Sequence, residues 1–370
     1  MLKQIVVVTI VVLALFSLYH FRSPSVGLLV DLPDPDISCP PQPNSTEHLV
    51  ILYSLQVDSD GDMSEVEQQN FNYMVALTMA GDATRDVTFL LLVAHPPYAD
   101  VEDLREHFKR VHRASPLRNR LAKTRMQLRF HQIDEEEGAD ICNFATAISE
   151  VDFTGLGVPK GVTPIYLFVS STMRGPFLPL PILDMYEGLW YKPLLHMFKS
   201  DPKVAMVGMS WDCNYHLHVP LNAFALNEKG LRSAQDFYKR STTICDKKTM
   251  GQVQWRRDNE AGLSRAIMRD YSVRTFMEPY YHVEASSVTD FACVQGNANR
   301  AGHYFGKYNE DMLPGDTMFV QTGGDLLRPL MRSEFQHKRL SMHSRSQLDF
   351  AFARNPPATG MDYNKLFGVE

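Results

Sequence analysis

The stretch "TPIYLFVSSTMRGPF", Thr163 to Phe177, joins an almost continuous apolar segment to a polar turn. The segment up to Val169 shows no polar alternation, which is typical of a strand that is buried on both faces of a parallel sheet. Hydroxyl groups, an arginine and a glycine come next, at Ser170, Ser171, Thr172, Arg174 and Gly175. This polar end predicts one of two things, a surface turn with an exposed arginine or the cradle of an anionic ligand.

The same kind of strand alternates with helices along the chain. Strands are predicted at 48–55, 86–95, 126–134 and 163–171, and helices at 64–81, 100–115 and 138–153. Buried strands separated by helices predict an α/β fold, in which a mostly parallel sheet is covered by helices on both faces. Ligands of such sheets bind at the carboxyl ends of the strands, which is where the polar turn lies. The position of this turn therefore favours a binding site.

The N-terminal segment predicts a membrane anchor. Residues 5–21 are apolar, lie between Lys3 and Arg22, and would span roughly 25 Å as a helix. A cleaved signal peptide is the alternative, but "SLYHFRS" offers a poor cleavage site. The proline-rich residues 22–47 predict a stem, which carries a glycosylation sequon at Asn44. The predicted organisation is a cytoplasmic tail at 1–4, an anchor at 5–21, a luminal stem at 22–47, one domain at 48–333 and a C-terminal tail at 334–370.

Composition excludes some classes of function. The net charge is -6 and no block of lysine or arginine stands out, so nucleic acid is not expected as a partner. The acidic segment Asp58–Asp62 resembles the start of a calcium loop, but Met63 and Gln69 replace the required glycine and glutamate. An acidic turn is predicted there, and no metal ligand set is predicted anywhere in the chain.

The cysteines leave their pairing open. They lack the spacing of a metal site, and their odd number means at least one free thiol or an intermolecular bond. A luminal disulfide between Cys213 and Cys245 and a set of small buried hydrophobic residues both fit the pattern. The five are Cys39, Cys142, Cys213, Cys245 and Cys293.

Two acidic residues at helix starts are candidate site residues. Asp140 opens a predicted helix, where it would offset the helix dipole or bind a ribose or sugar hydroxyl. Glu260 also lies at a helix start, where it is either a first-turn acid or a base that accepts a proton from a hydroxyl. His216 and His218 could bind a metal, but no third ligand lies near them in the sequence.

Four motifs occur together in one order: "EEGADICNF", "VSSTMRGPFLP", "EAGLSRAIM" and "LPGDTMFVQ". Over about residues 49–325 the chain resembles a poorly characterised family of membrane-anchored, glycosyltransferase-like proteins. That family is distantly similar to rhamnan and capsular polysaccharide synthesis proteins. The resemblance implies a single domain with a GT-A-like fold, in a type II protein of the Golgi or another secretory-pathway membrane. The implied activity is transfer of a sugar from a nucleotide sugar to a hydroxyl of a glycan or glycoprotein.

The resemblance also implies roles for the donor-side residues. Arg174 and the amides after Ser170 and Ser171 would stabilise the leaving diphosphate. Thr172 and Gly175 would complete the donor-binding turn.

Asp140 would also act on the donor side, where it would orient the ribose or sugar of the donor. Glu260 would be the base that activates the hydroxyl under attack, which would give inversion. His216 and His218 would line the site of the acceptor substrate.

The chain departs from the family pattern at several points. No Asp-x-Asp follows the strand at 163–171, so the use of Mn²⁺ or Mg²⁺ is left open and no cofactor is predicted. Val169 stands where the family often has Asn, and Asp316 and Gln321 replace an expected Glu and Lys. These departures motivate an alternative function, a luminal carbohydrate-binding protein that has kept the fold and lost the activity.

Overall fold

The computed structural model describes residues 30–31, 47–58, 60–80, 87–96, 98–106, 125–132, 139–153, 156, 158–211, 218–240, 257–276, 318–321, 342, 344 and 346–347. The strands in this part of the chain are β1 (Val30–Asp31), β2 (Glu47–Gln56), β3 (Val87–His95), β4 (Arg125–Gln132), β5 (Thr163–Ser170), β6 (Met173–Arg174), β7 (Val204–Gly208), β8 (Ala223–Asn227), β9 (Ser272–Thr275) and β10 (Val320–Gln321). The helices are α1 (Glu65–Ala80), α2 (Ala139–Glu150), α3 (Leu180–Met185), α4 (Lys192–Ser200), α5 (Glu228–Arg240) and α6 (Gly262–Met268). A π-helical turn, Arg257–Ala261, precedes α6, and residues 101–106 are helical.

Within these residues the central sheet has eight strands, in the order β1-β4-β3-β2-β5-β8-β7-β9. Strands β4, β3, β2 and β5 are parallel to one another, and β9 is parallel to β7. β8 runs antiparallel to both β5 and β7, and the short β1 is antiparallel to β4. The predicted α/β class with a mostly parallel sheet is therefore confirmed.

The strand order creates a switch point in the sheet. The chain leaves β2 toward β3 and β4 on one side, whereas β5 pairs with the opposite side of β2. Connections that diverge in this way open a crevice at the carboxyl ends of the two central strands, and ligands of open α/β sheets bind in such crevices. Here those ends are Gln56 and Ser170.

Helices cover both faces of the sheet. Alternate residues of β2 enter two separate apolar clusters, with Leu49, Ile51 and Tyr53 in one and Val50 and Leu52 in the other. The first cluster includes residues of α1, α3 and α4, and the second includes residues of α2, α5 and α6. Burial on both faces explains why the sequence of these strands shows no polar alternation.

The polar turn is completed by distant parts of the chain. β6 pairs with β10, with Arg174 opposite Val320. Ser344 and Gln347 are buried, and the Gln347 side chain donates a hydrogen bond to the carbonyl of Leu178. This part of the predicted tail at 334–370 therefore packs against the domain.

The predicted anchor at 5–21 and the sequon at Asn44 lie outside the described residues. Among the residues that are described, no helix combines the length and the apolar character needed to cross a bilayer. Two residues of the predicted stem, Val30 and Asp31, form β1 against the edge strand β4.

Candidate active site

The turn after β5 is closed by its own hydroxyl groups. Ser170 Oγ and Thr172 Oγ1 are 2.7 Å apart, and the Thr172 N–H donates to Ser170 Oγ at 3.0 Å. The backbone N–H of Ser171 donates to the Ser54 carbonyl of β2 at 2.9 Å. The two N–H groups expected to face a diphosphate, those of Ser171 and Thr172, therefore already have acceptors within the protein.

The start of α1 is bonded to this turn. At the N-terminus of α1 the Glu67 N–H donates to Ser64 Oγ, and Ser64 Oγ donates to Glu67 Oε2 at 2.7 Å. The other carboxylate oxygen, Glu67 Oε1, accepts a hydrogen bond from Ser171 Oγ at 2.8 Å. Asn70 donates through Nδ2 to the Ser171 carbonyl, also at 2.8 Å. The first turns of α1 and the turn after β5 thus form one hydrogen-bonded unit at the switch point.

Arg174 lies within this unit and is 6% exposed. Its Nε donates to Asn70 Oδ1 at 2.8 Å and its Nη2 donates to Gln69 Oε1 at 3.0 Å. The part of the chain that the structure describes offers it no carboxylate partner. Burial lowers the pKa of Arg174 to about 10, and the nearby Tyr73 and Tyr53 act in the opposite direction. The guanidinium therefore stays charged at neutral pH, held by neutral amides and without a compensating anion.

Gly175 is required by the packing of the chain itself. A Cβ at this position would lie 2.4 Å from the Met318 carbonyl oxygen and 2.5 Å from Cδ1 of Phe319. The segment leading into β10 thus approaches the backbone of Gly175 closely. As a result, residues 174–177 and 318–321, which belong to two motifs of the resemblance, lie against each other.

Glu260 and His218 lie together at the same edge of the sheet. His218 precedes β8, whose antiparallel course makes it start at the carboxyl edge of the parallel strands. His218 Nε2 lies 3.9 Å from Glu260 Oε2, and their side chains are 1% and 18% exposed. The Val219 N–H donates to Ser264 Oγ at 3.0 Å, which ties α6 to this segment. A carboxylate beside an imidazole can accept a proton or orient the imidazole that does so.

Asp140 belongs to the first turn of α2, which follows β4 and so begins at the same edge. Nearby in this helix, Asn143 donates to Ser54 Oγ of β2 at 2.9 Å. His216 lies outside the described residues. The fold therefore brings the turn at Ser170, the start of α2 and the Glu260–His218 pair to one edge of the sheet.

Sequence reasoning missed the amide-bearing residues that support the turn. Asn70 and Asn143 lie on the buried sides of α1 and α2, where they bond to Ser171 and Ser54. A buried amide needs hydrogen-bond partners, so an asparagine on an apolar helix face is a usable signal of a polar contact. The run Gln68–Asn72 in α1 carries this signal, but the sequence does not reveal which residue each amide meets.

Cys142 forms a disulfide bond, and its partner lies outside the described residues. Cys213 and Cys245, the predicted pair, also lie outside the described residues. In the same described part of the chain, no group of three or more His, Cys, Asp and Glu side chains is arranged to hold a metal ion.

Comparison of the sequence with models of known protein families gave no match, and comparison with curated proteins gave none either. The resemblance to the glycosyltransferase-like family therefore rests on the four sequence motifs alone.

Proposed function

We propose that the chain is a glycosyltransferase that moves a sugar from a nucleotide sugar to a hydroxyl of a glycan or glycoprotein. One observation carries this proposal: the guanidinium of Arg174 is buried beside the switch point of the sheet, and no carboxylate of the described residues pairs with it. Among the described residues this cation is bonded to two neutral amides, and an anionic ligand would stabilise it. The diphosphate of a nucleotide sugar is such a ligand.

The donor side of the site is built around Arg174. Its Nε and Nη2 are held by Asn70 and Gln69, which fixes the plane of the guanidinium. The described residues provide no acceptor for Nη1, so this group is the one assigned to a phosphate oxygen. A fixed cation that meets the charge developing on a leaving diphosphate lowers the barrier without reorganisation. Asp140, at the start of α2, is assigned to a hydroxyl of the donor.

The acceptor side is built around the Glu260–His218 pair. Glu260 is half-buried and sits 3.9 Å from a buried imidazole, a geometry that suits proton removal from an attacking hydroxyl. Direct attack by that hydroxyl on the donor sugar gives inversion. His218, together with His216, is assigned to the site of the acceptor substrate.

The proposal places the domain on the luminal side of a secretory-pathway membrane, in a GT-A-like fold. The predicted anchor at 5–21, the stem at 22–47 and the sequon at Asn44 support a type II orientation. The disulfide at Cys142 supports an oxidising compartment, since such bonds are rare in the cytosol.

A second candidate is a luminal carbohydrate-binding protein of the same fold without activity. The N–H groups of Ser171 and Thr172 favour it, because acceptors within the protein already occupy both. The absence of an Asp-x-Asp after Ser170 favours it as well.

A donor screen separates the two candidates. The luminal part of the chain, secreted from eukaryotic cells, is titrated with uridine, guanosine and cytidine diphosphosugars while its melting temperature is recorded. An enzyme is expected to be stabilised by one donor and to hydrolyse it slowly, since binding to the folded state alone raises stability. Stabilisation by glycans without any effect of a donor would support the binding protein and contradict the proposal.

A further inference from the structure

A cleft of about 490 Å³ lies beside the site, at the carboxyl ends of β2 and β3. Its volume is within the range of small-molecule sites, roughly 300–1,000 Å³. It reaches the site through Glu67, which lines the cleft and also accepts the hydrogen bond from Ser171. Its described lining residues are Gln56, Val57, Asp58, Asp62, Met63, Ser64, Glu67, His95, Pro96 and Tyr98.

The lining is rich in fixed hydrogen-bond acceptors. Asp58 is held in place because its Oδ1 accepts the N–H groups of Asp60 and Asp62, both at 2.9 Å. This arrangement leaves Oδ2 of Asp58 for a ligand. The described residues provide no donor for the Asp62 carboxylate, which is exposed. Three carboxylates with no lysine or arginine among the described lining residues repel phosphate and favour a ligand that donates hydrogen bonds.

His95 gives an independent indication of a ligand. It is 4% exposed, and its Nδ1 lies 3.0 Å from the carbonyl oxygen of Pro96. A carbonyl only accepts hydrogen bonds, so Nδ1 carries a hydrogen, and in the tautomer that has its hydrogen on Nδ1 the other ring nitrogen, Nε2, is an acceptor. The described residues give Nε2 no partner, although the ring lines the cleft. A ring nitrogen that faces a cleft and has no partner among the described residues can accept a hydrogen bond from a ligand hydroxyl or N–H group.

We propose that this cleft binds the vicinal diol of a sugar ring, with Asp58, Asp62 and His95 as its hydrogen-bond acceptors. Tyr98, which is 69% exposed at the rim, offers an aromatic face for the ring to stack on. Two rings flank the diphosphate of a nucleotide sugar, the ribose and the transferred sugar, and both carry a diol. Because α1 supplies Glu67 to the cleft and Asn70 to Arg174, a ring bound here adjoins the predicted diphosphate site. The assignment to a donor substrate rests on the proposed function, whereas diol binding does not.

The test measures binding of neutral probes to the luminal part of the chain by ligand-observed NMR. Uridine, guanosine, cytidine and adenosine are each compared with the dideoxy analogue that lacks the diol, and methyl glycosides of galactose, glucose and mannose form a second arm. Asp62→Asn is expected to weaken binding about tenfold, which equals about 1.4 kcal/mol. Asp60→Asn is the matched control, because this exposed acid of the same turn does not line the cleft. Tyr98→Ala is expected to weaken binding without affecting folding, because its ring is exposed.

Each outcome of this binding test either supports or contradicts diol binding in the cleft. Diol-dependent binding of a nucleoside identifies a ribose site, and binding of a glycoside identifies a site for the transferred sugar. The inference is wrong if no probe binds, if the dideoxy analogues bind equally well, or if Asp62→Asn and Asp60→Asn behave alike. It is also wrong if spermine binds in an Asp62-dependent manner and the sugars do not, since that result indicates a cation site. Asp62-dependent binding in a chain without transferase activity would contradict the proposed function and leave this inference standing.

Discussion

His218 Nε2 lies 3.9 Å from Glu260 Oε2, although the two residues come from different elements on either side of α5. The segment before β8 carries the imidazole, and the π-helical turn before α6 carries the carboxylate. Because the imidazole is buried and the carboxylate remains 18% exposed, Glu260 is the member of the pair that an incoming hydroxyl can reach. This geometry makes the assignment of the base testable.

Glu260→Gln is expected to lower kcat for sugar transfer by about a hundredfold or more, the usual range for loss of a general base. Gln keeps the size of the side chain but cannot take a proton. Donor binding is expected to be unchanged, because the predicted diphosphate site lies around Arg174. Initial rates at saturating donor, together with the melting temperature, measure both effects.

Asp258→Asn is the matched control for this substitution, since it removes an exposed acid from the same turn. It is expected to leave kcat unchanged. Turnover of Glu260→Gln at the wild-type rate would show that the base is another group, and His218 would be the next residue to test.

Arg174→Met is expected to abolish the stabilisation that a nucleoside diphosphate gives to the folded chain. A ligand at a hundred times its Kd stabilises the wild type by about 2.7 kcal/mol, and the variant lacks the cation responsible. Thermal unfolding with and without the preferred nucleoside diphosphate measures the increment.

Arg129→Met is the informative comparison, because Arg129 is equally buried but forms an ion pair with Glu150. Its loss is expected to lower the stability of the free protein and to leave the increment from the ligand intact. If Arg174→Met retained the full increment, Arg174 would serve only to hold the turn after β5 against α1.

The core of the fold could be predicted because buried strands have a recognisable apolar sequence pattern. Runs such as those of β3 and β5 are apolar on both faces, and this pattern is local to each strand. The two-residue strands β6 and β10 carry no period at all, and their pairing joins residues far apart in the chain. They could not be predicted from local sequence, nor could the burial of Ser344 and Gln347 against the same region.

In the candidate site, too, local features could be predicted from the sequence and contacts between distant residues could not. The Ser170 turn, Arg174, Glu260 and His218 could be selected individually, because hydroxyls at a strand end and acids at a helix start are local signals. The amide partners of Arg174 could not be selected, since Asn70 and Gln69 become its neighbours only when α1 packs beside β6. The same holds for the contact between His218 and Glu260, which depends on the antiparallel course of β8.

Gly175→Ala is expected to destabilise the domain by about 3 kcal/mol, the upper end of ordinary overpacking. The new Cβ would meet the Met318 carbonyl at 2.4 Å, and backbone cannot rotate away as a side chain can. Urea unfolding measures the change in the free energy of unfolding. Gly161→Ala is the control, because a Cβ there meets nothing within 4 Å and only its φ of +81° causes strain, worth about 1 kcal/mol. Equal effects of the two substitutions would contradict the packing role of Gly175.

Tyr238→Phe is expected to change how stability depends on pH above 10. Burial raises the pKa of Tyr238 above its ordinary value of 10.0, and the charge of Glu260 raises it further. The folded state therefore keeps the phenolic proton after the unfolded chain has lost it. The contribution of Tyr238 to the free energy of unfolding is complete below pH 10 and falls by about 1.4 kcal/mol per pH unit above it.

Removing the hydroxyl removes this slope, so the variant is expected to lose less stability than the wild type between pH 10 and 11. Urea unfolding at several pH values measures the difference. Arg174 contributes a slope of opposite sign, because its pKa is lowered on folding, but this slope is common to both proteins and cancels in the comparison. Tyr98→Phe is the control, since it removes the same hydroxyl group from an exposed side chain. Identical curves for Tyr238→Phe and the wild type would contradict the prediction, because they would mean that the Tyr238 hydroxyl ionises as readily in the folded state as in the unfolded chain.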